Sequence, residues 1–379
     1  MPPSRAGETA VSVSARTVSV YRRALRAWYR RNARDLPWRR NPTPYRVWIS
    51  EIMLQQTRVE TVIPYYERFL ERFPDVQRLA RAREEDVLAA WSGLGYYRRA
   101  RMLHAAARRL VSQFDGCFPS SREEILSLPG IGTYTAGAIR SIAFGLRAPL
   151  LDGNVIRVLS RCFGVRGDVS RGETRRRLHE LAERIVNAAG PGEVNQAEME
   201  LGALVCTPAS PHCGDCPVGE LCAARREGSI ESLPELPARR SSVAVRCTAL
   251  LVWRDGDGRL LLRRRLPDEL LPDLWDLPGA FTARAGDDGH GADVARALLP
   301  FPVELRNVLG TLRHAVTYRR IVLEIVTAVA PAKKAGSRVR GTDGAELRWC
   351  TPREAQAMAL SAPARRVLSR WGSPPRRSA

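Results

Sequence analysis

The sequence predicts a multidomain protein, an all-α region followed by an α+β domain, on three observations. From Val20 to about Arg226 apolar residues recur at three- and four-residue spacing, as at Val59, Val62, Ile63, Tyr66, Phe69 and Leu70, which is the period of a helix face. A Pro-rich polar stretch from Glu231 to Ser242 then breaks the pattern. Beyond it, short apolar runs alternate with turn signals, as strands do. The 379 residues leave room for two or three domains, each large enough to bury a core.

Within the first region, Phe73-Pro-Asp75, Phe118-Pro-Ser120, Leu128-Pro-Gly130 and Gly190-Pro-Gly192 cut the periodic pattern into helices of ordinary length. In the second, Val243–Trp253 and Leu260–Leu262 flank Asp255-Gly-Asp-Gly258, a hairpin signal. Further strands are expected at Ile321–Ala328 and Glu346–Cys350, with a helix near Ala292–Leu299. The expected boundaries are a flexible tail over 1–19, an all-α region over 20–230, a linker over 231–242, an α+β domain over 243–372 and a basic tail over 373–379.

Lys and Arg number 60 against 40 Asp and Glu, and a net charge of +20 favours polyanionic partners through counterion release. Nucleic acid is the first candidate. No apolar run reaches the roughly 18 residues that cross a bilayer, and the N-terminus lacks the apolar segment of a secretory signal. A cytoplasmic, nucleoid-associated protein without membrane partners is expected.

Four of the eight cysteines crowd together as Cys206, Cys213, Cys216 and Cys222, spaced C-x6-C-x2-C-x5-C. Four thiolates so close can hold a tetrahedral zinc or an iron–sulfur cube; one C-x2-C flanked by wider gaps favours the cube. Pro208, Pro211, Gly214 and Pro217 make this a loop with little core of its own, which a metal centre would replace.

Leu128-Pro-Gly130-Ile-Gly132 places two glycines just before a helix, where bare backbone N–H groups can approach a phosphate. Asp152, in Leu151-Asp-Gly-Asn154-Val-Ile-Arg, reads as the cap of an amphipathic helix. An acid there could equally face a reacting sugar and stabilise developing positive charge. Together these features resemble the helix–hairpin–helix DNA glycosylase superfamily. Trp48-Ile-Ser-Glu51-Ile-Met-Leu54-Gln55-Gln56-Thr-Arg-Val-Glu60 and Gly93-Leu-Gly-Tyr96-Tyr97 are similar to its adenine-removing branch, which acts on A opposite 8-oxoguanine or guanine in double-stranded DNA. The resemblance runs from about Val20 to Cys222, and Leu274-Trp-Asp-Leu-Pro-Gly279 extends it to a Nudix-like domain.

The resemblance implies a [4Fe-4S] cluster on the four cysteines and a monovalent cation at the hairpin formed by Leu128, Gly130 and Gly132. It makes Glu51 the acid that protonates adenine and then activates water, and Asp152 the stabiliser of the sugar cation, with Tyr134 and Asn154 beside them. Buried among Trp48, Ile49, Ile52, Met53 and Leu54, Glu51 would have a raised pKa suited to proton donation. Related enzymes that also cut the strand use a lysine where Tyr134 stands, and residues 1–332 contain no lysine, so a monofunctional glycosylase that leaves an abasic site is expected, acting as a monomer because one flipped base needs one pocket. Trp38, Arg39 and Gln196 are implied at the adenine pocket, Leu54, Gln55 and Gln56 at the duplex gap, and Tyr96 as a wedge beside the oxidised guanine. Arg39, Arg98, Arg99 and Arg101 could grip phosphates.

The Nudix-like domain is expected to bind and not to hydrolyse, because Ala280–Leu299 has no R-E-x-x-E-E run and only Asp287, Asp288 and Asp293 as acids. The family's lesion-contacting loop carries Phe-Ser-His; the matching stretch here is Leu312-Arg313-His314, which keeps the histidine. A pyrimidine-lesion glycosylase and a non-enzymatic iron–sulfur DNA-binding protein are the competing readings. The second has no use for paired Glu51 and Asp152.

Overall fold

The structure is a computed structural model, and it describes residues 13–187, 190–237, 241–269, 272–282, 291–316, 318–332 and 338–373. The chain divides into two compact units, one formed by 1–80 and 105–238, the other by 81–104 and 239–379. Residues 81–104 thus group with the C-terminal part of the chain, whereas periodicity placed them in the all-α region. Sequence pattern identifies helices but carries no information about which neighbour a helix packs against.

In chain order the helical elements are α1 (Ala15–Asn32), α2 (Pro37–Arg40), α3 (Pro44–Leu54), α4 (Val59–Arg72), α5 (Val76–Arg81), α6 (Glu84–Trp91), α7 (Arg98–Phe114), α8 (Arg122–Ser127), α9 (Thr133–Ala138), α10 (Gly153–Phe163), α11 (Gly172–Val186), α12 (Pro191–Leu204) and α13 (Ala223–Arg226). The expected tail is shorter than 19 residues. Ser14 accepts a hydrogen bond from the Thr17 amide and starts α1 at Ala15, and Val18 already packs into the core. Residues 1–12 lie outside the described part.

Tyr21 and Leu25 of α1, Val155, Val158 and Leu159 of α10, Leu178 and Ile185 of α11, and Val194 and Leu201 of α12 form one buried cluster. Helix α10 is fixed at both ends: Asp152 caps its start, and Gly164, with φ 66°, ends it in the left-handed region open to glycine. Gly202 of α12 lets two backbones meet, since a Cβ there would lie 3.1 Å from the Asn154 Cα. The Asp152 cap and the Gly202 approach to Asn154 both lie at the start of α10.

The expected linker begins later than Glu231. Leu233 is buried, its carbonyl accepts from Arg161, and Glu235 accepts from the Gly167 and Val169 amides, so 231–237 is fastened to the first unit. Residues 238–240 lie outside the described part.

The second unit holds a mixed sheet of β1 (Val243–Arg254), β2 (Leu260–Arg264), β3 (Trp275–Asp276), β4 (Gly279–Thr282), β5 (Glu304–Val316), β6 (Arg319–Ala330), β7 (Arg338–Arg340) and β8 (Glu346–Cys350), ordered β5-β6-β1-β2-β8-β7 with β3 on β2 and β4 on β1. Strand β1 pairs parallel with β6 and, across the expected turn, antiparallel with β2 at Trp253 and Leu260. Alternation along β1 sends Ala249, Leu251 and Trp253 to the face that holds Val367 and Leu368 of α16 (Ala362–Trp371). Leu250 and Val252 go to the face that holds Ala295 of α14 (Gly291–Ala297), while α15 (Pro352–Gln356) follows β8.

Leu312-Arg-His314 was expected on a loop. It lies in β5, with Leu312 opposite Leu323 and His314 opposite Ile321. The polar, charged alternation of this strand hid it, because its pairing with β6 and not an apolar run makes it extended. Among the described residues, α14 carries one acid, Asp293, paired with Arg296 at 3.0 Å; Asp287 and Asp288 lie outside the described part. No described helix is long and apolar enough to cross a membrane.

Glu198 of α12 is fully buried against Tyr21, whose hydroxyl donates to it at 3.4 Å, and burial pushes its pKa up to about 8. A carboxyl raised above its unfolded value contributes its full stability below about pH 4.5 and loses it as pH rises toward 8. Glu198→Gln should therefore flatten this decline, so chemical denaturation from pH 5 to 9 should show the variant gaining on the parent chain with rising pH. Parallel curves would refute the burial argument.

Candidate active site

Helices α3, α9, α10 and α12 of the first unit converge on a cavity of about 570 Å³, within the range of ligand pockets. Its walls include Glu51 from α3, Tyr134 from α9, Asp152 and Asn154 at the start of α10, and Gln196 and Glu200 from α12. Residues separated by a hundred positions therefore share one space.

Glu51 is 7% exposed, on a helix that is buried from Val47 to Met53. Burial is the main reason its pKa is raised to about 7; the negative charge of Asp152 adds to the rise, while a hydrogen bond with Tyr134 and the Arg39 charge oppose it. Tyr134 also donates to the Met199 sulfur at 3.2 Å, which fixes the phenol between α3 and α12. The Asp152 pKa is likewise raised by burial, against the hydrogen bonds it accepts. Its Oδ1 accepts from the Val155 amide at 2.7 Å and its Oδ2 from the Asn154 Nδ2 at 3.1 Å. Capping and facing the cavity are thus one role, with the carboxylate aimed by the helix it starts.

The other wall holds the implied base-binding residues. Trp38, 7% exposed, packs edge-on to Tyr66 at 5.4 Å between ring centroids. Arg39 does not present a free cation to phosphate: its Nη1 and Nη2 donate to Glu200 at 3.1 and 2.8 Å, and its guanidinium lies 5.5 Å from the Tyr29 ring centroid. Arg34 donates to the same carboxylate. Burial alone would push Glu200 up, but the hydrogen bonds from both arginines overcome it and bring its pKa down to about 2. Gln196 donates to the Gly192 carbonyl at 3.3 Å and accepts from the Tyr29 hydroxyl at 3.4 Å. Glu200, Arg34 and Tyr29 were not foreseen. The signal for Glu200 was present, since Gln196, Met199, Glu200 and Ala203 follow the i, i+3, i+4, i+7 pattern that puts them on one face of α12.

Leu54, Gln55 and Gln56 sit at the end of α3 and line the cavity, Gln56 exposed and with φ 57°. Leu128 is buried, and Gly130 (φ 77°) and Gly132 are exposed; the hairpin does not line the cavity, but it leads directly into α9 and Tyr134. In the second unit, Tyr96 is 43% exposed with φ 48°. Arg99 folds over the Trp91 and Tyr96 rings and donates to the Leu94 and Gly95 carbonyls, and Arg101 pairs with Glu84 and Asp273. Those two arginines hold protein where phosphate contact was expected. His314 is half-buried, and burial, with Arg366 nearby, lowers its pKa.

Cys206, Cys213, Cys216 and Cys222 line a second cavity of the first unit together with Cys162. Among the described residues, no three or more His, Cys, Asp or Glu side chains gather for a single metal ion. The four thiols share the lining of one cavity and could hold a thiolate-ligated metal centre. Positive charge is at hand for a thiolate-ligated centre: Arg161 Nη1 lies 3.5 Å from the Cys206 sulfur. Helix α10 joins the two cavities. Arg157, one turn after Asn154, donates to its Oδ1 at 2.8 Å and to the Cys206 carbonyl at 2.7 Å, and Arg161 donates to the Thr207 carbonyl at 2.7 Å.

Residues 49–184 match the family model of the HhH-GPD superfamily base excision DNA repair protein, and residues 249–370 that of the NUDIX domain. A solved thermostable thymine-DNA glycosylase is 29% identical, covering 56% of this chain and 98% of that one with a TM-score of 0.51. Fold and site thus define a helix–hairpin–helix DNA glycosylase of base excision repair with a Nudix-like C-terminal domain. The adenine DNA glycosylase of Rattus norvegicus is 34% identical over 404 residues, 93% of this chain and 78% of that protein. That of Homo sapiens is 47% identical over 225 residues, covering 57% of this chain and 41% of that protein. The chain belongs to the adenine DNA glycosylase family.

Replacing Glu200 by Gln should cost about 2–4 kcal/mol, since two arginines lose a shared buried counter-ion. The loss should vanish toward pH 2, because a carboxyl held below its unfolded value stabilises above about pH 4.5 and loses that contribution as it protonates. Urea denaturation at pH 7 and pH 3 checks both statements; equal losses at the two pH values would contradict the ion-pair account.

Proposed function

We propose that the protein removes adenine paired with 8-oxoguanine or guanine in double-stranded DNA, as a monomer, by hydrolysis, and leaves an abasic site. The observation that carries the reading is the pair of carboxyls in one cavity, Glu51 held near neutrality in pKa and Asp152 aimed by its own helix. Adenine is a poor leaving group until protonated. Glu51 in its acid form supplies that proton to the flipped base while the N-glycosidic bond breaks, and the bonding electrons leave with the base. Asp152, ionised, faces the sugar cation that remains. Glu51, now a carboxylate, takes a proton from water as the oxygen bonds to the anomeric carbon, which restores the acid. Tyr134 steadies Glu51 by hydrogen bonding and offers no amine, so no Schiff base forms and the strand stays intact.

The adenine pocket in this reading is the wall of Trp38, Arg39 and Gln196, the two polar groups held in place by Glu200 and Tyr29. Leu54, Gln55 and Gln56 fill the gap in the duplex, Leu128, Gly130 and Gly132 bind backbone phosphate, Tyr96 wedges beside the base opposite adenine, and the strand bearing His314 serves lesion contact. Cys206, Cys213, Cys216 and Cys222 would hold the [4Fe-4S] cluster, which supplies a folded, positively bordered loop where the chain has little core. Purified protein should then contain iron and sulfide in the ratio of the cube, and Cys216→Ser should lower both and the melting temperature; zinc in their place would overturn the assignment.

Glu51→Gln should abolish adenine release while retaining duplex binding, measured with duplexes carrying A opposite 8-oxoguanine, G and T, with alkali used to reveal abasic sites. Unaltered release would exclude the acid role, and cleavage before alkali would indicate a lyase. In the parent enzyme, single-turnover release should decline above about pH 7 as Glu51 ionises. Tyr134→Phe removes a hydrogen bond that favours ionised Glu51, so this decline should move to higher pH; a shift to lower pH would contradict the assigned contact.

A further inference from the structure

Residues 92–97 connect α6 to α7 and, with α6 and the first residues of α7 up to 104, belong to the second unit. Gly93, Gly95 and Tyr96 have φ of 110°, 70° and 48°, all in the left-handed region. A tyrosine is held there only where its surroundings over-determine the backbone. One set of restraints is local. The Trp91 indole donates to the Gly95 carbonyl at 3.2 Å, and the Arg99 guanidinium donates to the Leu94 and Gly95 carbonyls at 3.2 and 3.3 Å while lying 5.6 Å from the Tyr96 ring centroid.

A second set comes from the Nudix-like fold. Tyr97, 3% exposed, donates its hydroxyl to the Leu360 carbonyl at 2.6 Å and lies 3.0 Å from the Ser92 hydroxyl, which Arg365 of α16 also contacts. Four residues along, Arg101 donates to the Pro272 carbonyl at 2.8 Å and pairs with Asp273 at 3.1 Å. The loop is therefore fastened at Ser92 and Tyr97, with a further fastening at Arg101 on the helix that follows, and the exposed ring of Tyr96 stands next to Tyr97 within the loop.

We propose that Tyr97 is a positioning residue through which the Nudix-like fold aims Tyr96, so that this domain sets opposite-base discrimination by way of the wedge as well as by its own strands. Adjacent tyrosines then divide the work: Tyr96 meets DNA, and Tyr97 meets the domain that holds the loop. The inference rests on the reading of Tyr96 as the wedge.

The test is the ratio of single-turnover release rates on A:8-oxoguanine and A:G duplexes, with enzyme in excess. A fold-wide weakening lowers the active fraction for both duplexes and leaves the ratio unchanged. Tyr97→Phe should lower the ratio about three- to tenfold, the size of one lost hydrogen bond. Asp273→Ala, which loosens the other fastening, should act in the same direction and serves if Tyr97→Phe does not fold. In a Tyr96→Ala background neither change should lower the ratio further. If Tyr96→Ala itself leaves the ratio intact, the wedge reading fails and the proposal with it. If Tyr96→Ala lowers the ratio but Tyr97→Phe and Asp273→Ala do not, or if they lower it equally without the Tyr96 ring, the positioning role is overturned.

Discussion

A carboxyl taken out of water is costly to ionise, and the first unit depends on placing Glu51 where that cost is paid by the fold. Seven consecutive buried positions of α3, Val47 to Met53, contain the acid. Asp152 adds a like charge to the same cavity, and Tyr134 and Arg39 hold the rise in check. The result is a carboxyl whose pKa is raised to about 7, beside a second carboxyl that accepts hydrogen bonds from the start of α10 and lines the same cavity. On an exposed helix face neither carboxyl would have its pKa raised in this way.

Around that pair, charge is spent on holding side chains and less on meeting solvent. Arg34 and Arg39 are tied to Glu200, and Arg157 and Arg161 to carbonyls of the cysteine loop. In a chain with almost no lysine, the planar guanidinium, with its several fixed donors, suits these multi-point attachments. The basic surplus inferred from composition is thus partly internal. The remainder provides the nonspecific attraction to DNA that any glycosylase searching a duplex needs.

The Nudix-like unit retains the mixed sheet with a helix on each face, and among the described residues its helix α14 presents one acid. The grouping of 81–104 with this unit, and the Tyr97 hydroxyl on the Leu360 carbonyl, give the fold a structural part to play near Tyr96.

Local chemistry was legible in the sequence wherever one segment was sufficient to specify it: helix periods, the Asp255–Gly258 turn, the cap at Asp152, the apolar setting of Glu51 and the spacing of the four cysteines. These depend on backbone preference and on neighbours within a few residues. Tertiary structure alone decided the rest, because it depends on which distant groups meet. Arg39 reads as a DNA-facing cation until Glu200 is found beside it, and His314 reads as a loop residue until β6 pairs with its strand. Residues 231–237 read as a linker until Arg161, Gly167 and Val169 claim their polar groups, and Tyr97 is only the last residue of the Gly93–Tyr97 motif until its hydroxyl finds the Leu360 carbonyl. Buried polar groups must be paired, and the partner that satisfies each is fixed by the fold and not by the residues adjacent to it in the chain.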